Sequence, residues 1–201
     1  MFKTKEALIP YMLLVAAMAA GLLWHESETV PGLGRSVTTG QVAIGGPYVL
    51  IDQDGRRKSS ADFRGKFQLI YFGYSFCPDV CPTTLSVMAD ALDKMGAQGA
   101  RIVPIFITID PERDTPAILK NYMAAFGPRF VGLTGSVSDI AKVEKLYRVY
   151  AKKMPLDEKK SGYGMDHSSV LYLMGPDGRI VTFYSELIPA DALAKDLKAK
   201  I

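Results

Sequence analysis

The sequence predicts an α/β fold, a mixed sheet flanked by helices with a transmembrane helix in front of it, on three observations. Two near-continuous apolar runs, QLIYFGY at 68–74 and IVPIFITI at 102–109, suit strands covered on both faces. Apolar residues at helical spacing follow the first run, with Leu85, Met88, Ala89, Leu92 and Met95 on one side. A late strand pair and a closing amphipathic helix complete the body, after an uncharged N-terminal stretch.

That stretch, Ala7 to Trp24, would rise about 27 Å as a helix, close to the thickness of a bilayer core. Lys3 and Lys5 precede it, partly offset by Glu6, and favour a cytoplasmic N-terminus with the body exported. Ala17-Met18-Ala19 offers the rival reading of a cleaved signal peptide, but the apolar run continues to Trp24. The expected organisation is an anchor over 1–25, a tether of small and polar residues over 26–41, and a single domain over 42–201.

Within the domain, GGPYVLIDQDGRRKSS reads as a hairpin turning at Asp54-Gly55, and Asp62–Lys66 as a polar turn into the first apolar strand. Pro104 inside the second apolar strand points to a bulge or an edge position. Asp114-Thr115-Pro116 opens a helix with a capping side chain followed by proline. Phe130–Leu133 supplies a short strand and Val137–Tyr147 a helix with Ile140, Val143, Leu146 and Tyr147 on one side. Lys152–Met165 is polar, broken by proline and glycine, and reads as an exposed, mobile loop. Ser169–Met174 and Ile180–Tyr184 form strands joined by Gly175-Pro176-Asp177-Gly178, and Pro189–Lys200 the last helix. An early β-α-β half and a late hairpin-plus-helix half match a thioredoxin-like arrangement.

Composition excludes some functions. A net charge of +3 with no basic stripe gives nothing for nucleic acid, and neither GxGxxG nor a Walker loop is present. The chemistry concentrates in the two cysteines, Cys77 and Cys81, and in His167. Cys77-Pro78-Asp79-Val80-Cys81 stands at a strand-to-helix turn, where the positive end of the helix lowers thiol pKa. Pro82 disfavours helical dihedrals at Cys81 and leaves room for both sulfurs to face one ion or each other. Two thiolates and an imidazole suit copper or zinc; a trigonal Cu(I) site needs only these three, whereas Cu(II) needs a further donor, for which Met165 and Asp166 are near in sequence. The same thiols also admit a reversible disulfide or a small structural one.

These residues resemble the SCO/SenC family of copper chaperones. The shared stretches are GYSFCPDVCPT at 73–83, DPERDTP at 110–116, FGPRFVGLTG at 126–135 and DHSSVLYLMGPDG at 166–178, and the likeness spans about residues 40–201. The resemblance implies a thioredoxin-like domain whose copper ligands are Cys77, Cys81 and His167. It also implies a role in assembling the dinuclear copper centre of cytochrome c oxidase subunit II, by copper delivery or by reducing the target cysteines. For an exported domain the expected location is a bacterial inner membrane, single-pass, facing the periplasm, with an upstream copper donor or thiol reductant as further partner. Asp110, Arg113 and Asp114 resemble the family's loop beside the metal and are candidates for partner recognition, with helix capping and a local ion pair as the plain alternative. Asp166 is a candidate to orient His167 or to dock a partner, Asp79 to influence the thiols' charge, and Tyr74 and Phe76 to shield the site.

Two other functions compete. A membrane-bound thiol-disulfide reductase would use Cys77 and Cys81 as an exchanging pair, although Asp166-His167-Ser168 stands where thioredoxins carry a proline opposite their cysteines. A peroxiredoxin-like peroxidase would use Cys81 in Val80-Cys81-Pro82-Thr83, with Pro78 replacing the threonine that signature expects.

Overall fold

The structure, a computed structural model, describes residues 43–155 and 162–201. The expected anchor and tether lie outside these residues, and no helix among the described residues is long and apolar enough to cross a membrane. Seven strands form one mixed sheet in the order β2-β1-β5-β4-β3-β8-β9, and β6 and β7 pair separately.

The N-terminal hairpin joins β1 (Val49–Asp52) to β2 (Arg57–Ser59). Gly55 takes the left-handed backbone the turn needs, with φ of 79°, and Asp52 Oδ1 accepts from the N–H groups of Asp54 and Arg56 at 3.0 and 2.8 Å. Ser59 and Asp62 form a capping box on a short 3-10 turn that buries Phe63 and leads into β3 (Phe67–Gly73). β3 runs parallel to β4 (Ile102–Thr108), which runs parallel to β5 (Val131–Thr134); β1 closes on β5 antiparallel. On the other flank β8 (Val170–Met174) and β9 (Ile180–Ser185) add antiparallel.

Pro104 is neither at an edge nor at a bulge: β4 lies inside the sheet, and Pro104 pairs with Leu69. The β4–β5 ladder begins one residue later, at Ile105 and Val131, so the β5 flank of β4 is unpaired at the proline, where a missing N–H is tolerated.

Crossovers α1 (Val80–Lys94) and α2 (Pro116–Ala124) step the chain from β3 to β4 to β5 in one direction, which puts both on one face. Neighbouring side chains on β3 report the two faces. Tyr71 reaches Cys81 on α1, whereas Phe72 packs on Tyr147 of α3 (Val137–Tyr147), ring centroids 5.2 Å apart, and on Tyr172, 5.9 Å apart. α4 (Ala190–Lys200) packs beside α1, and its Asp196 accepts from Tyr184 at 2.8 Å. This is the thioredoxin-like sheet flanked by helices that the residue pattern predicts.

Two expectations are corrected. Thr115, not Asp114, caps α2, its side chain accepting from Ile118 N–H; Asp114 is buried elsewhere. The polar stretch expected as a loop over 152–165 forms β6 (Ala151–Pro155) and β7 (Tyr163–His167), with Ala151 opposite His167 and Pro155 opposite Tyr163. A ribbon lying on the surface needs no apolar alternation, so hydropathy carried no sign of it.

Because Phe72 packs away from the cysteine face, Phe72→Ala is expected to cost about 3–5 kcal/mol of stability, read by urea unfolding. The reactivity of Cys77 in the folded fraction should stay as in the parent.

Candidate metal centre

The turn after β3 decides where the two sulfurs sit. Helix α1 starts at Val80, which puts Cys81 in its first turn and Pro82 next, where a residue without an N–H removes one donor that the helix could not satisfy. Asp79 stands at the cap position, exposed, and makes no capping bond. Cys77 takes that part: its Sγ accepts from the Cys81 backbone N–H at 3.4 Å. One sulfur thus closes the helix start while the other grows from it.

The two differ sharply in burial. Cys81 is 0% exposed and Tyr71, also fully buried, directs its hydroxyl to Cys81 Sγ at 3.6 Å. Gly73 makes room for it: a Cβ there would lie 2.9 Å from that sulfur and 3.0 Å from the Phe106 ring. Cys77 is half-buried and opens into a cleft of about 260 Å³, lined also by Asp79, Met165, Asp166 and His167.

His167 comes from the far side of the cleft, on the last residue of β7. Its Nε2 lies 3.9 Å from Cys81 Sγ. Bonds of about 2.3 Å to sulfur and about 2.0 Å to nitrogen, meeting at a trigonal angle, would put the two donors about 3.7 Å apart. The other ring nitrogen, Nδ1, lies 3.0 Å from the Ser168 carbonyl. That contact, not one to Asp166, orients the ring; Asp166 is exposed, opposite Lys152. Tyr74 is buried and meets the imidazole edge to face, centroids 6.0 Å apart, and Tyr71 does so at 6.5 Å. Phe76 shields less than expected: it is 58% exposed and lies under the Arg113 guanidinium at 4.9 Å.

The 110–114 loop braces both sides of the cleft. Asp114 is buried and accepts from Ser75 N–H at 3.0 Å, from the Ser75 hydroxyl and from Thr108 Oγ1 at 2.6 Å, which ties down the cysteine turn. Arg113 donates to Asp110, its ion-pair partner, and to the Tyr163 carbonyl at 2.9 Å.

Electrostatics separates the thiols. Cys77 is held well below the ordinary thiol range, at about 5, first by the hydrogen bond from the Cys81 thiol, then by the N–H groups of Cys81 and Asp79, with His167 adding a smaller pull. Cys81 moves up, because its proton serves Cys77 and because it is buried. Burial also raises Asp114, against the bonds from Ser75 and Thr108. The two sulfurs are thus driven apart in acidity, Cys77 towards the thiolate and Cys81 towards the thiol. A buried Cys81 that keeps its proton is a poor peroxidatic nucleophile, which counts against the peroxidase alternative. Both cysteines are free. Among the described residues no three Cys, His, Asp or Glu side chains already close round a metal position.

The sequence singled out Cys77, Cys81, His167, Asp79, Asp110, Arg113, Asp114 and Asp166; Cys77, Asp79, Asp166 and His167 line one cleft, Cys81 is buried beside His167, and Asp110, Arg113 and Asp114 form its brace. It missed Tyr71, Gly73, Ser75, Thr108 and Tyr163. Only Gly73 carried a signal, as a glycine ending an apolar strand just before the cysteines.

A family profile described as SCO1/SenC matches residues 36–201. Protein SCO1 homolog 1, mitochondrial, of Arabidopsis thaliana is 42% identical over 165 residues, covering 82% of this chain and 49% of that protein; the chain spans about half the length of this relative. The solved structure of Bradyrhizobium japonicum ScoI with copper bound is 46% identical, with a TM-score of 0.73 over 79% of this chain and 100% of that one. A more distant solved relative, BsSco, described as having a disulfide switch and as a member of the Sco family of cytochrome c oxidase assembly proteins, is 27% identical, with a TM-score of 0.62 over 79% of this chain and 93% of that one.

Alkylation of the reduced protein by iodoacetamide across a pH series, read peptide by peptide by mass spectrometry, should give Cys77 a midpoint near pH 5 and a plateau through neutrality. Cys81 should resist until denaturant is added. An ordinary midpoint at Cys77, near about 8.5, would contradict the thiolate–thiol arrangement.

Proposed function

We propose that this chain, which belongs to the SCO1/SenC family, is a copper metallochaperone serving assembly of the dinuclear copper centre of cytochrome c oxidase subunit II. The observation that carries the reading is the approach of His167 Nε2 to Cys81 Sγ across an open cleft, with the Cys77 thiolate at its mouth. Relatives described with copper bound and with a part in oxidase assembly support it. The uncharged N-terminal stretch supports an anchor in a bacterial inner membrane with the domain in the periplasm.

Cu(I) is the favoured cargo, since two sulfurs and one nitrogen satisfy it at low coordination number; Cu(II) would draw a further donor. Cys77, already ionised, meets the ion arriving from an upstream donor. Cys81 gives up its proton as its sulfur binds, and His167 completes the set. Three ligands leave a face open, through which the incoming ligands of subunit II displace this chain's own.

One observation favours a second reading, reduction of the subunit II cysteines: the low-pKa Cys77 beside a protonated Cys81 is the arrangement of an attacking and a resolving thiol. Cys77 would attack a target disulfide and expel one target thiolate. Cys81, losing its proton, would then attack Cys77 Sγ, freeing the second target thiol and leaving a Cys77–Cys81 disulfide for an upstream reductant. The disulfide switch described for BsSco supports this reading.

Anaerobic Cu(I) titration of the reduced chain in detergent, set beside a reduction assay on oxidised subunit II, decides between them. The expected result is about one ion per chain and about one proton released per ion at neutral pH, rising towards two below pH 5, where Cys77 is also protonated. Cys77→Ser, Cys81→Ser and His167→Ala should each weaken binding by more than the about 10–100-fold lost on removing an outer partner. Equal copper binding by all three variants would overturn the chaperone reading, and rapid reduction of oxidised subunit II by metal-free protein would favour the reductase.

A further inference from the structure

We propose that Tyr163 is a positioning residue that sets where His167 stands relative to the two sulfurs, acting through Asp110 and Arg113. The proposal deepens the copper reading and rests on it. His167 is not on the seven-stranded sheet that carries the cysteine turn; it ends a strand whose only ladder partner among the described residues is β6. No ladder pairs His167 itself with that sheet, which takes up the chain three residues later, at Val170 of β8.

On its N-terminal side the histidine strand is held by side chains. Alternation along β7 puts Tyr163, Met165 and His167 on one face. Tyr163 hydroxyl donates to Asp110 Oδ1 at 2.8 Å, and its carbonyl accepts from Arg113 Nη1 at 2.9 Å. Its ring lies 3.8 Å from the Arg113 guanidinium carbon and 4.6 Å from Lys153 Nζ, and Lys153 pairs in turn with Glu112 of the same loop. Asp110 is 1% exposed, so a hairpin that let go would leave a buried carboxylate short of a donor. The same loop holds Ser75 through Asp114. Five consecutive residues, 110–114, thus hold the cysteine turn with the Asp114 carboxylate and the histidine ribbon with those of Asp110 and Glu112.

At the histidine end the anchorage is lighter: Ser168 N–H donates to the Tyr150 carbonyl at 2.9 Å, Tyr150 N–H to Ser168 Oγ at 3.1 Å, and the imidazole rests on Tyr74 and Tyr71. Tyr163 and His167 lie four residues apart on one strand, about 13 Å, so the strand is held by the tyrosine at one end and by the start of β8 just beyond the other.

The test compares Tyr163→Phe, which removes only the hydroxyl, with Tyr163→Ala, which removes the ring as well, and with Met154→Ala, an exposed change on the same ribbon. Cu(I) affinity should fall about 10-fold for Phe and towards about 100-fold for Ala, with Met154→Ala at the parent value. X-ray absorption should show the nitrogen neighbour of copper weakening in the same order. In the metal-free reduced protein, NOEs between the His167 imidazole and the Tyr74 ring should weaken for Phe and vanish for Ala, while amide exchange in β3, β4 and β8 stays unchanged. Parent-like affinity and NOEs in both tyrosine variants would overturn the proposal. So would a loss of affinity with sulfur–nitrogen ligation intact and a lowered urea midpoint, because that is the mark of general destabilisation. Should the parent chain bind no copper, the chaperone reading falls and the NOEs decide the positioning role by themselves.

Discussion

The first turn of α1 lacks an ordinary cap, and the chemistry of the cleft follows from that vacancy. A helix start presents several backbone N–H groups with no partner. Asp79 does not meet them, Pro82 removes one, and the Cys77 sulfur accepts from Cys81. An acceptor bonded in that way is stabilised as an anion, which adds to the larger effect of the Cys81 side chain in lowering Cys77. The asymmetry between two chemically equal residues comes first from their bond to each other, then from the burial of Cys81, with the backbone of the turn reinforcing it.

Burial then divides the labour. Cys81 is walled in by Tyr71, Gly73 and Phe106, so its position is as rigid as the core around it. Cys77 sits on a turn held by Ser75 and Asp114, and His167 on a surface ribbon held by Tyr163. On the proposed copper reading the site would have one donor fixed in the core and two on braced but separate supports. A cargo site would have to bind firmly and still release, and this graded attachment would suit both demands.

Much of this was legible in the residues. The buried strands β3 and β4 showed as apolar runs, the hairpin turns as Asp54-Gly55 and Gly175–Gly178, and the helices as spaced apolar positions. Cys77, Cys81 and His167 were conspicuous as the rare soft and borderline donors. What escaped was information held in long-range polar contacts. Asp114 looked like a helix cap because it precedes Thr115-Pro116, yet its partners, Ser75 and Thr108, come from other parts of the fold. Tyr163 lay in a stretch read as loop, because a surface ribbon leaves no apolar period and an aspartate 53 positions away gives no local sign. Pro104 argued for a strand edge and was answered by a neighbouring strand that begins one residue late.

The separate β6–β7 ribbon has an evolutionary corollary. Mutations in it barely touch the interlocked aromatics Phe72, Tyr147 and Tyr172 that secure the body. On the proposed copper reading, selection could tune how long the imidazole stays engaged with little change to the packing behind the sheet. Lineages facing scarce or abundant metal would be expected to diverge first along this arm, while the packing behind the sheet stays much as it was.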